Sequence, residues 1–205
     1  MKKLFTDRPK IHLTAVLVCS GLLALTFFNT ELSAKTDKMG MNRLLKIVGV
    51  IKVPPTKDPV RINLEDMNGR SISISDFKGK IVFLNFWTTW CPACRIEMPS
   101  MEKLHQKFKN KDFAIVTVNL RESASKVKVF FKEFKLTFTA LLDSTGLVAA
   151  SFGIRSIPTT YILDKTGRII GKVNGPREWD SKAAIALFEN LMDKDVVAGT
   201  SKAAN

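Results

Sequence analysis

The run Trp90-Cys91-Pro92-Ala93-Cys94 holds two of the chain's three cysteines, in the spacing Cys-x-x-Cys. Residues three apart on a helix are neighbours, with about 5–6 Å between Cβ atoms. A small local adjustment then lets the two sulfurs bond. The chemistry open to such a pair is thiol–disulfide exchange, and its flanks give the pair a direction. Residues 81–87 are a short apolar, β-prone block that reads as a buried strand. Residues 95–108 carry Ile96, Met101, Leu104 and Phe108 at roughly helical spacing. The cysteines therefore fall where a central strand turns into a helix. With Pro92 as the first helical residue, Cys91 takes the N-cap. There it faces unpaired N–H groups and the positive end of the helix dipole, which favour a thiolate. A thiol of lowered pKa both attacks and leaves well in exchange. Cys91 is the expected exposed nucleophile and Cys94 the buried resolving thiol.

Other uses of the spacing fare worse. A zinc site needs four ligands, usually a second such pair or two histidines. The remaining cysteine, Cys19, lies in an apolar segment, and the histidines are His12 and His105; no metal site is expected. A purely structural disulfide closing so small a loop gains little from closure entropy.

The pair has to be positioned by the rest of the chain. Alternation over 61–64 and 71–74, around Asn68-Gly69, signals a hairpin. Residues 113–119 read as a second buried strand. Residues 125–134 read as an amphipathic helix with Val127, Phe130, Phe131 and Phe134 on one face. A short strand at 138–142 and a short helix at 147–152, ended by Gly153, follow. Strands at 159–163 and 168–173 form a second hairpin around Asp164-Lys165-Thr166-Gly167, and a helix over 181–192 closes the fold. Pro99, inside the first helix, removes the hydrogen bond to the Arg95 carbonyl and is expected to kink it.

The 205 residues allow one domain with appendages, and no internal repeat is present. Lys2, Lys3, Arg8 and Lys10 precede an apolar stretch of 18 residues, 11–28. This reads as an uncleaved membrane anchor with the remainder of the chain outside the cytoplasm; a cleaved signal peptide is the alternative, weakened by Leu32 at the candidate site. Either route delivers the domain to a compartment where disulfides persist. The organisation expected is 1–34 anchor or signal, 35–57 linker, 58–194 folded domain and 195–205 flexible tail. The patch 44–53 in the linker is compatible with a short helix or a strand. The formal charge is +13, spread over helices and turns. It reads as a solvated basic surface; no nucleic-acid motif accompanies it.

Strand, helix, strand, helix, hairpin, helix is the order of the thioredoxin fold, and here a resemblance becomes specific. Residues 85–99 resemble the active-site region of the TlpA/ResA branch of the thioredoxin superfamily. Phe152-Gly153-Ile154-Arg155-Ser156-Ile157-Pro158-Thr159-Thr160 resembles its cis-proline region, and 164–168 its hairpin turn. The resemblance covers about 59–194. It implies an α/β thioredoxin-like fold: a central mixed β-sheet flanked by helices, with an N-terminal β-hairpin. It implies a cis Pro158 beside the sulfurs, with Ile157 pairing with an extended substrate peptide, and Trp90 and Pro92 on the docking surface. It also places an acidic residue, Glu97, close to the thiols, where a carboxylate raises thiol pKa and handles the Cys94 proton. On spacing alone Glu97 could equally be a solvent-facing glutamate of the first helical turn.

The function so implied is protein-disulfide reduction outside the cytoplasm, of the kind that serves cytochrome c maturation. Protein disulfides such as those of apocytochrome c are the substrates, and a membrane thiol protein is the electron donor. No metal or organic cofactor is required. Two rival classes share the fold. A peroxidase of the peroxiredoxin type has a Thr-x-x-Cys like Thr88 to Cys91, but wants a proline where Leu84 stands. A copper-binding Sco-type assembly protein spaces its cysteines by three residues and adds a downstream histidine; here the spacing is two and no histidine follows His105.

Overall fold

A computed structural model describes residues 40–193. The anchor, the Cys19 and His12 positions and the tail lie outside these residues. Among the described residues no helix is long and apolar enough to cross a membrane.

The centre of the fold is β4 (Ile81–Trp87), buried at all seven positions. A strand buried on both faces is apolar nearly throughout, Asn85 being the exception here, and alternation still decides which residue meets what. Phe83 packs on Trp179 and Phe188, and Trp87 on Phe130 and Phe131. Val82, Leu84 and Phe86 point the other way, into a cluster with Ile62, Ile74, Val116, Val118, Leu141, Tyr161 and Leu163. Each such side chain, fully buried, contributes about 1.5–3 kcal/mol.

Six strands form one sheet in the order β1-β8-β7-β4-β5-β6. Here β1 is Ile51–Lys52, β5 Phe113–Leu120, β6 Thr139–Asp143, β7 Thr159–Leu163 and β8 Ile169–Asn174. β4, β5 and β6 run parallel; β7 and β8 are antiparallel to their neighbours. The predicted mixed sheet is thus present, as is the predicted N-terminal hairpin, β2 (Asn63–Glu65) with β3 (Ser71–Ser73). Asp66 closes its turn by accepting from the Asn68 and Arg70 backbone N–H groups at 2.7 and 3.0 Å.

The helices that follow β4 are α1 (Pro92–Phe108), α2 (Ala124–Phe134), α3 (Leu147–Ser151) and α4 (Lys182–Asp193). α2 starts at Ser123, whose hydroxyl accepts from the Lys126 N–H. α1 runs through Pro99 to Phe108 as one helix.

The apolar patch at 44–53 is both of the things it could have been. Residues 40–48 are helical, Gly49 turns the chain with φ +77°, and β1 then pairs with β8. The sheet therefore begins inside the segment that reads as a linker. Two short apolar stretches carry too little periodicity to show that they dock.

Candidate active site

Cys91 lies at the end of β4 and caps α1. Its backbone is extended, with φ −78° and ψ 111°, Pro92 is the first helical residue, and the Cys94 N–H donates to Cys91 Sγ at 3.2 Å. This is the local geometry that stabilises a thiolate on Cys91 once the pair is reduced. In this structure the two cysteines form a disulfide, with Cα atoms 5.3 Å apart. Cys94 is wholly buried. Cys91 keeps only 4% of its surface, so the expected exposure of the nucleophile survives as a sliver in the oxidised form. Trp90 beside it is 66% exposed and Ile96, on the next turn, 75%. Trp90 is therefore not core packing.

The peptide bond between Ile157 and Pro158 is cis. It brings the Ile157 carbonyl oxygen to 3.9 Å from Cys91 Sγ. Ile157 is half-buried and Pro158 buried. The three segments picked out in the sequence, 90–94, 97 and 157–158, are gathered at one end of the sheet.

Glu97 is 1% exposed, which removes the solvent-facing reading. Its carboxylate accepts from Asn85 Nδ2 at 3.0 Å and from Trp179 Nε1 at 2.9 Å. Asn85 Nδ2 also donates to Thr160 Oγ1 at 3.0 Å. One amide on the central strand so joins the helix that carries the cysteines to the strand that follows the cis proline. Burial pushes the Glu97 carboxyl from 4.5 up to about 7; the bonds from Trp179 and Asn85, and the backbone and charge of Arg177, oppose it. A group with that pKa both takes and gives a proton near neutrality.

Two residues of this region have no signal in the sequence. Glu122, at the start of the turn into α2, accepts from the Thr89 backbone N–H and hydroxyl at 2.7 Å each, and from Asn119 Nδ2 at 2.8 Å. Lys126 pairs with it at 2.6 Å. These partners hold its pKa below the ordinary glutamate value against the desolvation that raises it. Arg95 Nη1 donates to the Thr89 carbonyl at 3.2 Å, so the residue two before Cys91 is clamped at its N–H, hydroxyl and carbonyl. Trp179 is the other missed residue; it belongs to no motif, and its ring N–H supplies a bond to Glu97.

Comparison with known proteins agrees with this geometry. The profile of the AhpC/TSA family matches residues 56–172. The thiol-disulfide oxidoreductase ResA of Bacillus cereus is 33% identical over 175 residues, which is 85% of this chain and 91% of that protein. The crystal structure of StoA from Bacillus subtilis superposes with a TM-score of 0.54 at 33% identity, over 66% of this chain and 98% of that one. A thiol:disulfide interchange protein of the thioredoxin family from Chlorobium tepidum gives 0.57 at 27% identity, over 67% and 99%. With a thioredoxin-like sheet, a Cys-x-x-Cys disulfide capping its first long helix and a cis proline against the sulfur, this chain belongs to the AhpC/TSA family, among its ResA-like thiol-disulfide oxidoreductases.

Proposed function

We propose that the enzyme runs in the reducing direction, on protein disulfides outside the cytoplasm, and that thiol reduction for cytochrome c maturation is its task. A donor thiolate attacks Cys91 Sγ, the sulfur with the exposed sliver, and Cys94 leaves as a thiolate that takes the Glu97 proton. A second donor thiol attacks the mixed disulfide and releases Cys91, which completes reduction by two electrons. The Cys91 thiolate next attacks a substrate disulfide and forms a mixed disulfide with it. The Glu97 carboxylate accepts the Cys94 proton, Cys94 attacks Cys91, and the substrate leaves with both its sulfurs reduced. Trp90, Pro92 and Ile157 form the surface on which the substrate polypeptide lies, and the buried cis Pro158 holds Ile157 in place there.

The observation that carries this reading is the buried Glu97 in the helical turn after Cys94. Strong oxidants of this fold gain their potential by stabilising the reduced thiolate. A buried carboxylate one helical turn beyond Cys94 opposes it. Equilibration of the protein with glutathione or dithiothreitol buffers tests the direction. The expected potential is below about −200 mV; a value near −120 mV overturns the reductant assignment.

The site of action follows from residues 11–28, read as an uncleaved span that holds the folded domain, which includes β1 at 51–52, on the extracytoplasmic side. A membrane thiol protein is then the donor. The full-length protein is expected to stay with membranes in high salt, because an apolar span and not surface charge retains it. Release by salt, or a mature terminus at Lys35, contradicts the anchor.

A further inference from the structure

The segment entering the sheet is fitted to the domain at places where a side chain would not fit. Val48 and Val50 are buried. At Gly49 a Cβ would lie 2.7 Å from Arg177 Nη2 and 2.9 Å from Nε. The bare glycine lets the guanidinium lie along the chain, where Nε donates to the Val48 carbonyl at 2.9 Å and Nη1 to the Pro176 carbonyl at 2.7 Å. At Gly171 on β8 a Cβ would lie 2.7 Å from Val50 Cγ1. Ile51 and Lys52 pair with Lys172 and Gly171.

Arg177 belongs to a short loop, 175–179, which is tied to the redox site at three points. The Gly175 N–H donates to the carbonyl of the cis Pro158 at 2.9 Å. Ser100 Oγ, on α1, accepts from the Trp179 N–H at 3.1 Å and shares its one proton between the Glu97 carbonyl at 2.8 Å and the Arg177 carbonyl at 3.3 Å. Trp179 Nε1 reaches Glu97. The groups facing Glu97 are neutral Asn85 from β4, and neutral Trp179 and the backbone N–H and cation of Arg177 from the loop; Cys94 stands three residues earlier on the same helix.

We propose that residues 48–52 are a strut that fixes the 175–179 loop, with Arg177 as the positioning residue through which this segment sets the environment of Glu97. Its consequence for the thiols rests on the role given to Glu97 above. The segment at 48–52 is thereby coupled to Glu97 through Arg177.

The test is a 13C NMR titration of the Glu97 carboxyl in oxidised full-length protein, where the cysteines do not titrate. Arg177→Met removes a charge that favours the carboxylate, so the Glu97 midpoint is expected to rise by about half a pH unit or more. Arg177→Lys should restore much of that change. Gly171→Val leaves Arg177 and Glu97 untouched but displaces Val50, and should shift the midpoint the same way. If that variant does not fold, Val50→Ala loosens the same contact without a clash. An unchanged midpoint in the folded Gly171→Val or Val50→Ala protein overturns the strut. So does a shift confined to Arg177→Met, which reports charge alone. If the midpoint moves in these variants while the thiol pKa values of the reduced protein do not, the strut stands and the proposed role of Glu97 falls.

Discussion

Replacing Glu97 by glutamine should make the oxidised protein more stable at pH 8 than the wild type, and the gain can be worked out from the site. The carboxyl has a pKa of 4.5 unperturbed and about 7 here. The folded protein therefore holds a proton that the unfolded chain releases first. Below pH 4.5 both states are protonated and burial carries no ionic penalty. As pH rises towards 7, the unfolded state gains by ionising and the folded state does not, so stability falls. Above 7 the loss is complete, about 3 kcal/mol for a displacement of this size. Glutamine has no proton to lose and no such slope. Its amide must still be satisfied among donors. The Trp179 N–H can keep its bond to the new carbonyl oxygen. The new NH2 group then needs an acceptor where Asn85 Nδ2 now donates. Asn85 Oδ1 is buried and without a partner, so a half-turn of that amide supplies one, with the Thr160 hydroxyl reversing its role to match; the Asn85 NH2 group then takes the unpartnered position, a cost that is the same at every pH and leaves the slope unchanged. Urea unfolding of both oxidised proteins at intervals from pH 4.5 to 8 gives the difference in stability. Asp66, Glu102, His105 and Glu122, whose pKa values are all lowered, are common to both proteins and cancel. The difference curve should climb by about 3 kcal/mol across this window. A flat difference would falsify the account of a buried carboxyl forced to share its proton.

The remaining expectations concern the pair and the surfaces around it. Cys94→Ser should accumulate mixed disulfides with substrate polypeptides on non-reducing gels while Cys91→Ser accumulates few; reductase activity retained by Cys91→Ser would reverse the assigned roles. Trp90→Ala should leave stability within about 0.5 kcal/mol, since the ring is largely in solvent. It should raise KM for a polypeptide disulfide and leave reduction of a small-molecule disulfide unchanged; equal effects on both substrates would take Trp90 off the docking surface. Glu122→Gln puts an NH2 group against the Thr89 donors. A loss of about 1–3 kcal/mol in unfolding free energy is expected from the unpaired groups, together with slower exchange. Wild-type stability in that variant would mean the loop before Cys91 needs no clamp.

What could be read from the sequence divides by the distance over which each feature is decided. β4, β5, β7 and α2 announce themselves by local apolar pattern, and the N-cap at Cys91 depends on the three residues after it. The turn of the first hairpin is set by Asn68-Gly69 and closed by Asp66, all within five residues. Glu97 lies between these cases. Its place three residues after Cys94 is visible in the spacing. Its burial is not, because it depends on Asn85, 12 residues away, and Trp179, 82 away. Glu122 looks like any glutamate before a helix until Thr89, 33 residues back, is brought against it. Arg177 and Gly49 are less legible still: neither has a local signature, and their fit appears only when positions 48 and 177 meet.

The same division explains where the chemistry resides. The cysteines and the helix dipole are local features that any Cys-x-x-Cys at a strand-to-helix turn would share. Whether such a pair favours the dithiol or the disulfide depends on what surrounds its thiolates, and the surroundings here are built from remote segments. A carboxyl without those partners would sit in solvent near 4.5, ionised and screened, with little hold on the thiols. Buried here, it is pushed to about 7 against the lowering effect of Asn85, Trp179 and Arg177, a value at which a carboxyl can both give and take a proton near neutrality. On the role proposed for Glu97, the direction of electron flow is set by the fold around residues 85, 97, 177 and 179, and substitutions at those positions should change the potential without any change in the Cys-x-x-Cys motif itself.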